Sequence, residues 1–200
     1  MNLDPPALRA LYPPVHERAL RKQLAALDRH CRRFIELSPF VVLASSDGAG
    51  RMDASPRGGA PGFVHVVDAR TLLIPDAPGN RRLDTLSNLA GHGRIGLLFM
   101  IPGVDETLRV NGAAVVTREP ARLAPFAGQK HPPPVVIEVR VEEAYLHCAK
   151  AFMRSRLWSD AARVERSVLP TIGQMINDQT GSDAPAETDE QMRARYAADL

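Results

Sequence analysis

The chain has 200 residues, of which 44% are hydrophobic and 24% charged, and its formal net charge is +2 at pH 7. That composition fits one ordinary soluble globular domain spanning residues 1–200, and the near-neutral balance excludes bulk charge as a reason to expect nucleic acid or an acidic surface as partner. The longest apolar run, "IGLLFMIPGV", is far below the roughly 18 residues of a membrane span, and "MNLDPPALRA" lacks the pattern of a secretory signal, so a cytoplasmic location without membrane contact is expected.

In chain order, Leu20, Leu24, Leu27, Cys31 and Phe34 recur at steps of three and four between charged residues, which predicts an N-terminal amphipathic helix over 15–36. From Phe40 the period changes to that of strands: "FVVLASS", the turn "DGAG" and "RMDASPR" predict one hairpin. "FVHVVD" and "TLLIP", joined at Ala69 and Arg70, predict a second. "GNRRLDTLSNLAGHG" reads as a helix over 80–90 that buries Leu83, Leu86 and Leu89. "RIGLLFMIP" and the alternating "TLRVNGAAVVTRE" are core strands, and a Pro-rich connection over 118–134 with room for one helical turn leads to the long strand "VVIEVRVEEAYLH". These complete a strand-rich core over 40–147. C-terminal helices are expected over 148–180 and a polar, partly disordered tail over 181–200. Strands linked mostly by turns argue for an antiparallel barrel with peripheral helices, not a doubly wound parallel sheet.

Several motifs are excluded. "GHGRIG" has the glycine spacing of a dinucleotide fingerprint, but it closes a helix and leads into a strand, the reverse of the required order. There is no nucleophile elbow, no P-loop and no histidine pair with helical metal-ligand spacing, so no metal is expected. Cys31 and Cys148 are isolated and read as reduced thiols. Two stretches remain. In "RMDASPRGGAPGFVHV", Arg51, Asp53, Ser55 and Arg57 share one strand face and Met52, Ala54 and Pro56 the other, ahead of a Pro/Gly segment that permits close backbone approach. In "PGNRRLD", Arg81 and Arg82 stand at the expected opening of a helix, where the dipole favours an anion; they are either solvated or gathered around one.

Taken in order with their intervening strands, "RMDASPRG", "GNRR" and "TLRVNG" resemble the pyridoxamine 5'-phosphate oxidase class of split-barrel FMN-binding proteins, over roughly residues 34–158. The closing "HCAKAFMRSRLW" is similar to a bacterial subgroup of that class. The resemblance implies a mainly β fold with flanking helices, a six-stranded antiparallel split barrel, and a homodimer with FMN at the subunit interface. It further implies an FMN-dependent oxidoreductase acting on a small molecule. A non-catalytic flavin-binding or sensing protein, and haem or a deazaflavin in the same barrel, stay open as alternatives.

Residue by residue, the resemblance implies that Arg51, Met52, Asp53, Ala54, Ser55, Pro56 and Arg57 run beside the flavin. It implies also that Asn80, Arg81 and Arg82 grip its phosphate and that Thr107 and Arg109 approach its ring. Thr107 stands where the oxidases carry Gln and Pro56 where they carry Lys, departures that FMN binding survives better than pyridoxamine phosphate oxidation does. For the substrate pocket the candidates are His147, after the last strand, and Lys150, Arg154 and Trp158, spaced as one helical stripe suited to an anionic or conjugated molecule. The same stripe also suits a solvated face with a core-anchored Trp.

Overall fold

The computed structural model describes residues 2–199, so Met1 and Leu200, the ends of the expected domain, lie outside the described residues. Two short helices come first, α1 (Pro5–Ala10) and α2 (Glu17–Arg21), followed by α3 (Arg29–Leu37). The helix expected over 15–36 is therefore broken, and the cause is a backbone pairing. The Leu24 N–H donates to the Ala144 carbonyl at 3.0 Å and the Ala144 N–H donates back at 2.8 Å, while the Leu27 N–H donates to Ala69 at 2.7 Å. A continuous helix would have used those groups internally. The Asp28 carboxylate then accepts from the Cys31 N–H at 2.8 Å and restarts the helix as its N-cap.

The hairpin β1 (Phe40–Ser46) and β2 (Met52–Gly58) follows, then β3 (His65–Val66), β4 (Thr71–Pro75), α4 (Asp84–His92), β5 (Arg94–Met100) and β6 (Thr107–Thr117). The Pro-rich connection holds α5 (Pro120–Leu123) and a 3₁₀ turn at Ala124–Phe126, and it leads into β7 (Val136–His147). All pairings are antiparallel, in the order β2-β1-β5-β6-β7-β4-β3. The sheet has seven strands where six were expected, the seventh being the two-residue β3, which pairs with Leu72 and Leu73 as the first arm of the expected second hairpin, and it does not close, since β2 and β3 remain its edges.

One core fills the curl of the sheet, with Val41, Leu43, Leu97, Phe99, Leu108, Val110, Val139 and Val141 turned inward under Ile35 and Phe34 of α3. On the other face of β4 and β7, Leu73 and Val136 pack under Phe126, so the Pro-rich connection covers a second, smaller cluster. Among the described residues no helix is long and apolar enough to cross a membrane.

Helix α4 begins later than expected. The Asn80 side-chain carbonyl accepts from the Arg82 N–H at 3.0 Å, and Arg81 and Leu83 take φ of 60° and 61°, which no right-handed helix accommodates. Leu83 is accordingly exposed, and only Leu86 and Leu89 of the expected trio pack inward. Beyond β7, α6 (Lys150–Ser155) stops at Arg156, whose φ is 51°, well before Trp158. After α7 (Ile172–Thr180), the tail expected to be polar and partly disordered contains α8 (Asp189–Tyr196), whose Thr188 and Gln191 form a reciprocal capping box.

The two thiols differ sharply. Burial and the Asp28 carboxylate push Cys31 up to about 11, whereas Cys148 is exposed. A thiol reagent at pH 8 is expected to label one cysteine per native chain, Cys148, and both in denaturant. Mass spectrometry of the labelled peptides checks this, and labelling of native Cys31 would contradict the packing of α3.

Candidate functional site

Strand β2 is an edge strand with an inverted pattern. Its polar residues Asp53, Ser55 and Arg57 are half-buried and pair across from the inward-facing Ser45, Leu43 and Val41, while Met52, Ala54 and Pro56 are exposed on the outer face. What receives the polar side chains is α4. The Thr85 hydroxyl donates to the Asp53 carboxylate at 2.5 Å, Ser45 donates to the same oxygen at 3.4 Å, and the Asn88 amide donates to Ser45 at 3.0 Å. Thr85 and Ser45 are buried, so this network ties β1, β2 and α4 through satisfied polar groups.

Arg82 is within electrostatic reach of Asp53. Its Nε donates to Asp84 at 2.7 Å, and that carboxylate raises the Arg82 pKa, with Asp53 adding to the effect. Arg57 donates to the Ser55 hydroxyl at 2.5 Å and to the Pro56 carbonyl at 2.8 Å, and makes no salt bridge among the described residues. Asp76 is near it: burial pushes the Asp76 carboxyl up, and Arg57 partly offsets the rise. Arg81 is exposed and makes no ion pair among the described residues. The N-cap of α4, Leu83, offers no side-chain acceptor, so the first N–H groups of that helix have no cap. The inner face of β2 and the loop over 76–83 thus carry three guanidiniums, of which Arg82 is paired with Asp84, beside an α4 N-terminus without a side-chain cap.

The other predicted residues lie elsewhere. Arg51 turns back to the hairpin and donates to Asp47 at 2.6 Å, which holds the Asp47 carboxyl below its usual range. Thr107 and Arg109 lie on the outer face of the sheet, opposite from Ser55 and Arg57, with Thr107 paired to His147 and Arg109 to Tyr145. The Arg109 guanidinium donates to the Tyr145 hydroxyl at 2.9 Å. An open depression of about 370 Å³ lies at the end of β1 and β5, with Ser45, Ser46, Arg94, Asn111 and Glu143 among the residues that line it.

The expected stripe of Lys150, Arg154 and Trp158 does not form. Because α6 ends at Ser155, Trp158 lies beyond it, stacks on Phe152 at 5.4 Å between ring centres, and donates its indole N–H to the Val104 carbonyl at 2.9 Å. Lys150 and Arg154 are exposed and make no ion pair among the described residues. Trp158 is an anchor for the C-terminal segment.

Sequence reasoning missed Ser45, Thr85 and Asn88, and also Lys22 and Tyr145. A signal existed for Ser45, which follows Val41 and Leu43 at period two and so places a hydroxyl on a core face. None existed for Lys22, which the unforeseen break at Leu24 carries to β7. No cluster of three or more His, Cys, Asp or Glu among the described residues is placed to hold a metal ion.

No curated protein matches this chain. Among solved structures, HupZ of Group A Streptococcus matches at 18% identity with a TM-score of 0.50, covering 60% of this chain and 93% of that one. A candidate pyridoxamine 5'-phosphate oxidase from Lactobacillus delbrueckii matches at 19% identity and a TM-score of 0.50, covering 62% of this chain and 98% of that one. These likenesses establish a shared fold, the split barrel with flanking helices. The family profile described as pyridoxamine 5'-phosphate oxidase matches residues 27–148, from the approach to α3 to the end of β7, which is more than half of the chain, and the chain belongs to that family.

Proposed function

We propose that the protein is an FMN-dependent oxidoreductase acting on a small molecule, and that it works as a homodimer with the flavin between subunits. The observation that carries the reading is the set of donors on β2 and on the loop over 76–83 that leads into α4. Arg57 and Arg81 have no carboxylate salt bridge there, and the N-terminus of α4 lacks a side-chain cap, a donor set that fits a phosphate monoester. Ser55, Arg57, Asn80, Arg81 and Arg82 would hold that phosphate. Bound flavin supplies hydride and single-electron chemistry, and the chain supplies position and electrostatics.

The dimer rests on a division of faces. Ser55 and Arg57 point to the inner side of the sheet and Thr107 and Arg109 to the outer, so one flavin touching both sets needs a second copy. The outer face also leaves Met52 74% exposed at one end of the hairpin, with Val42, Leu98 and Met100 half-buried further along the same face.

The test is the absorption spectrum of the purified protein, with the released cofactor identified by mass. The expected result is a yellow protein that releases FMN, sediments as a dimer, and is reduced by a nicotinamide donor and reoxidised by an acceptor. FMN without turnover would make it a flavin binder; a haem or deazaflavin spectrum, or a monomer that retains flavin, would overturn the corresponding part of the proposal.

A further inference from the structure

Strand β7 changes parity at a bulge. Gly112 of β6 pairs with Val141 while Asn111 pairs with Glu143, so β7 carries one extra residue, Glu142. Before the bulge, Ile137, Val139 and Val141 face the core; after it Ala144 does, and Tyr145 and His147 are turned to the outer face. There they meet two cations from different parts of the chain. Arg109 reaches Tyr145 from β6, with its guanidinium carbon 5.5 Å from the ring centre. Lys22 arrives through the Leu24–Ala144 bridge, its Nζ donating to the Leu146 carbonyl at 2.7 Å and lying 5.6 Å from the same ring.

The third group is His147, whose ring lies 6.4 Å from that of Tyr145. Its Nδ1 is shielded from solvent and has no hydrogen-bond partner. Neither Lys22 nor Arg109 makes a salt bridge among the described residues, and Glu143, two residues from Tyr145 on the same face, pairs with neither. Burial lowers the His147 pKa, and Arg109 and Lys22 lower it further. Three basic side chains gathered around one ring, none of them paired among the described residues with Glu143 or another carboxylate, repel one another, and an anion among them would relieve that.

We propose that Lys22, Arg109 and His147, gathered around Tyr145, bind the oxyanion of a small molecule, a carboxylate or a phosphate. Lys22 and Arg109 supply charge-assisted donors, His147 a further ring nitrogen, and Tyr145 an aromatic surface against which a planar ligand rests. As a substrate site this rests on the flavin reading above; as an anion site it stands on these residues alone.

The experiment titrates the purified protein, with whatever cofactor it retains, separately with benzoate and with inorganic phosphate, following the ¹H–¹³C resonances of the His147 ring. Saturable shifts are expected, and Lys22→Gln and Arg109→Gln should each weaken binding by roughly tenfold or more. Tighter benzoate binding identifies a carboxylate ligand, and tighter phosphate binding a phosphate. Lys22 is exposed, so its variant keeps the test valid if the Arg109 variant fails to fold. Absence of saturation, or shifts that neither substitution weakens, would overturn the site. Flavin occupancy is read separately from absorbance, and Lys22→Gln carries the comparison because Arg109 also faces the proposed flavin: an unmodified protein that holds flavin but binds neither anion refutes this inference alone, and anion binding by a protein that never carries flavin refutes only the flavin reading.

Discussion

Gly112→Ala is expected to lower folding stability by about 3 kcal/mol or more, the upper end of what overpacking a close-packed interior costs. A Cβ on Gly112 would lie 2.0 Å from the Arg140 carbonyl oxygen and 3.0 Å from its carbon. Both are backbone atoms of β7, a strand fixed on one side by β6 and on the other by β4. The Val141 N–H, next along, is also held by the Arg70 carbonyl at 2.8 Å. No flexible side chain is available to yield, so the ladder itself must shift. Urea denaturation measures the effect as a lower midpoint with an unchanged slope. Gly103→Ala is the comparison: its φ is +85° but nothing lies near its Cβ position, so it should cost only about 1–2 kcal/mol of left-handed strain. Similar losses at the two positions would mean that the β6–β7 bulge absorbs a methyl group. Because the bulge also sets the parity of Tyr145 and His147, Gly112→Ala should perturb the His147 resonance even in the fraction that folds.

The same bulge shows where the sequence stops being readable. The hairpin β1–β2, the strands β5, β6 and β7, and the reversed order of "GHGRIG" all follow from local period and punctuation, and the structure has them where the pattern puts them. A single extra residue in a strand leaves the composition of "VVIEVRVEEAYLH" unchanged but moves half of it to the other face, and only the partner strand reveals it. The break in the helix expected over 15–36 has the same origin. Leu20, Leu24 and Leu27 keep helical spacing, yet Leu24 is claimed by Ala144, more than a hundred residues away. Long-range backbone pairing overrode a local preference that is worth less per residue than one backbone hydrogen bond.

The candidate site divides in the same way. Its residue types were legible, since two arginines beside an Asn at a helix opening run against the helix dipole unless an anion joins them. Their faces were only half legible. Period two separated Asp53, Ser55 and Arg57 from Met52, Ala54 and Pro56 correctly, but could not say that the polar set would turn inward toward α4 and the apolar set outward. That inversion arises because the inner side of this edge strand meets the polar side chains of α4 instead of the apolar core.

Arg57→Ala and Arg81→Ala are each expected to weaken FMN binding by roughly 10- to 100-fold, the worth of one hydrogen bond to a charged group. Alanine at position 81 keeps a Cβ in the same left-handed conformation, φ of 60°, so the backbone strain is held constant and the change reports the guanidinium. Arg82→Ala should weaken FMN in the same direction for a second reason: it leaves the Asp84 carboxylate, now its partner at 2.7 Å, facing the phosphate uncompensated. Folding should change little in the Arg81 and Arg82 variants, because both side chains are exposed. Riboflavin, which lacks the phosphate, separates the phosphate role from a general role in flavin binding. It should bind the unmodified protein more weakly than FMN and respond little to any of the three substitutions. Fluorescence quenching of each flavin on titration with protein measures both affinities. Equal losses for FMN and riboflavin would place these arginines against the ring, and losses confined to FMN at Arg57 alone would move the phosphate from the loop over 76–83 to the end of β2.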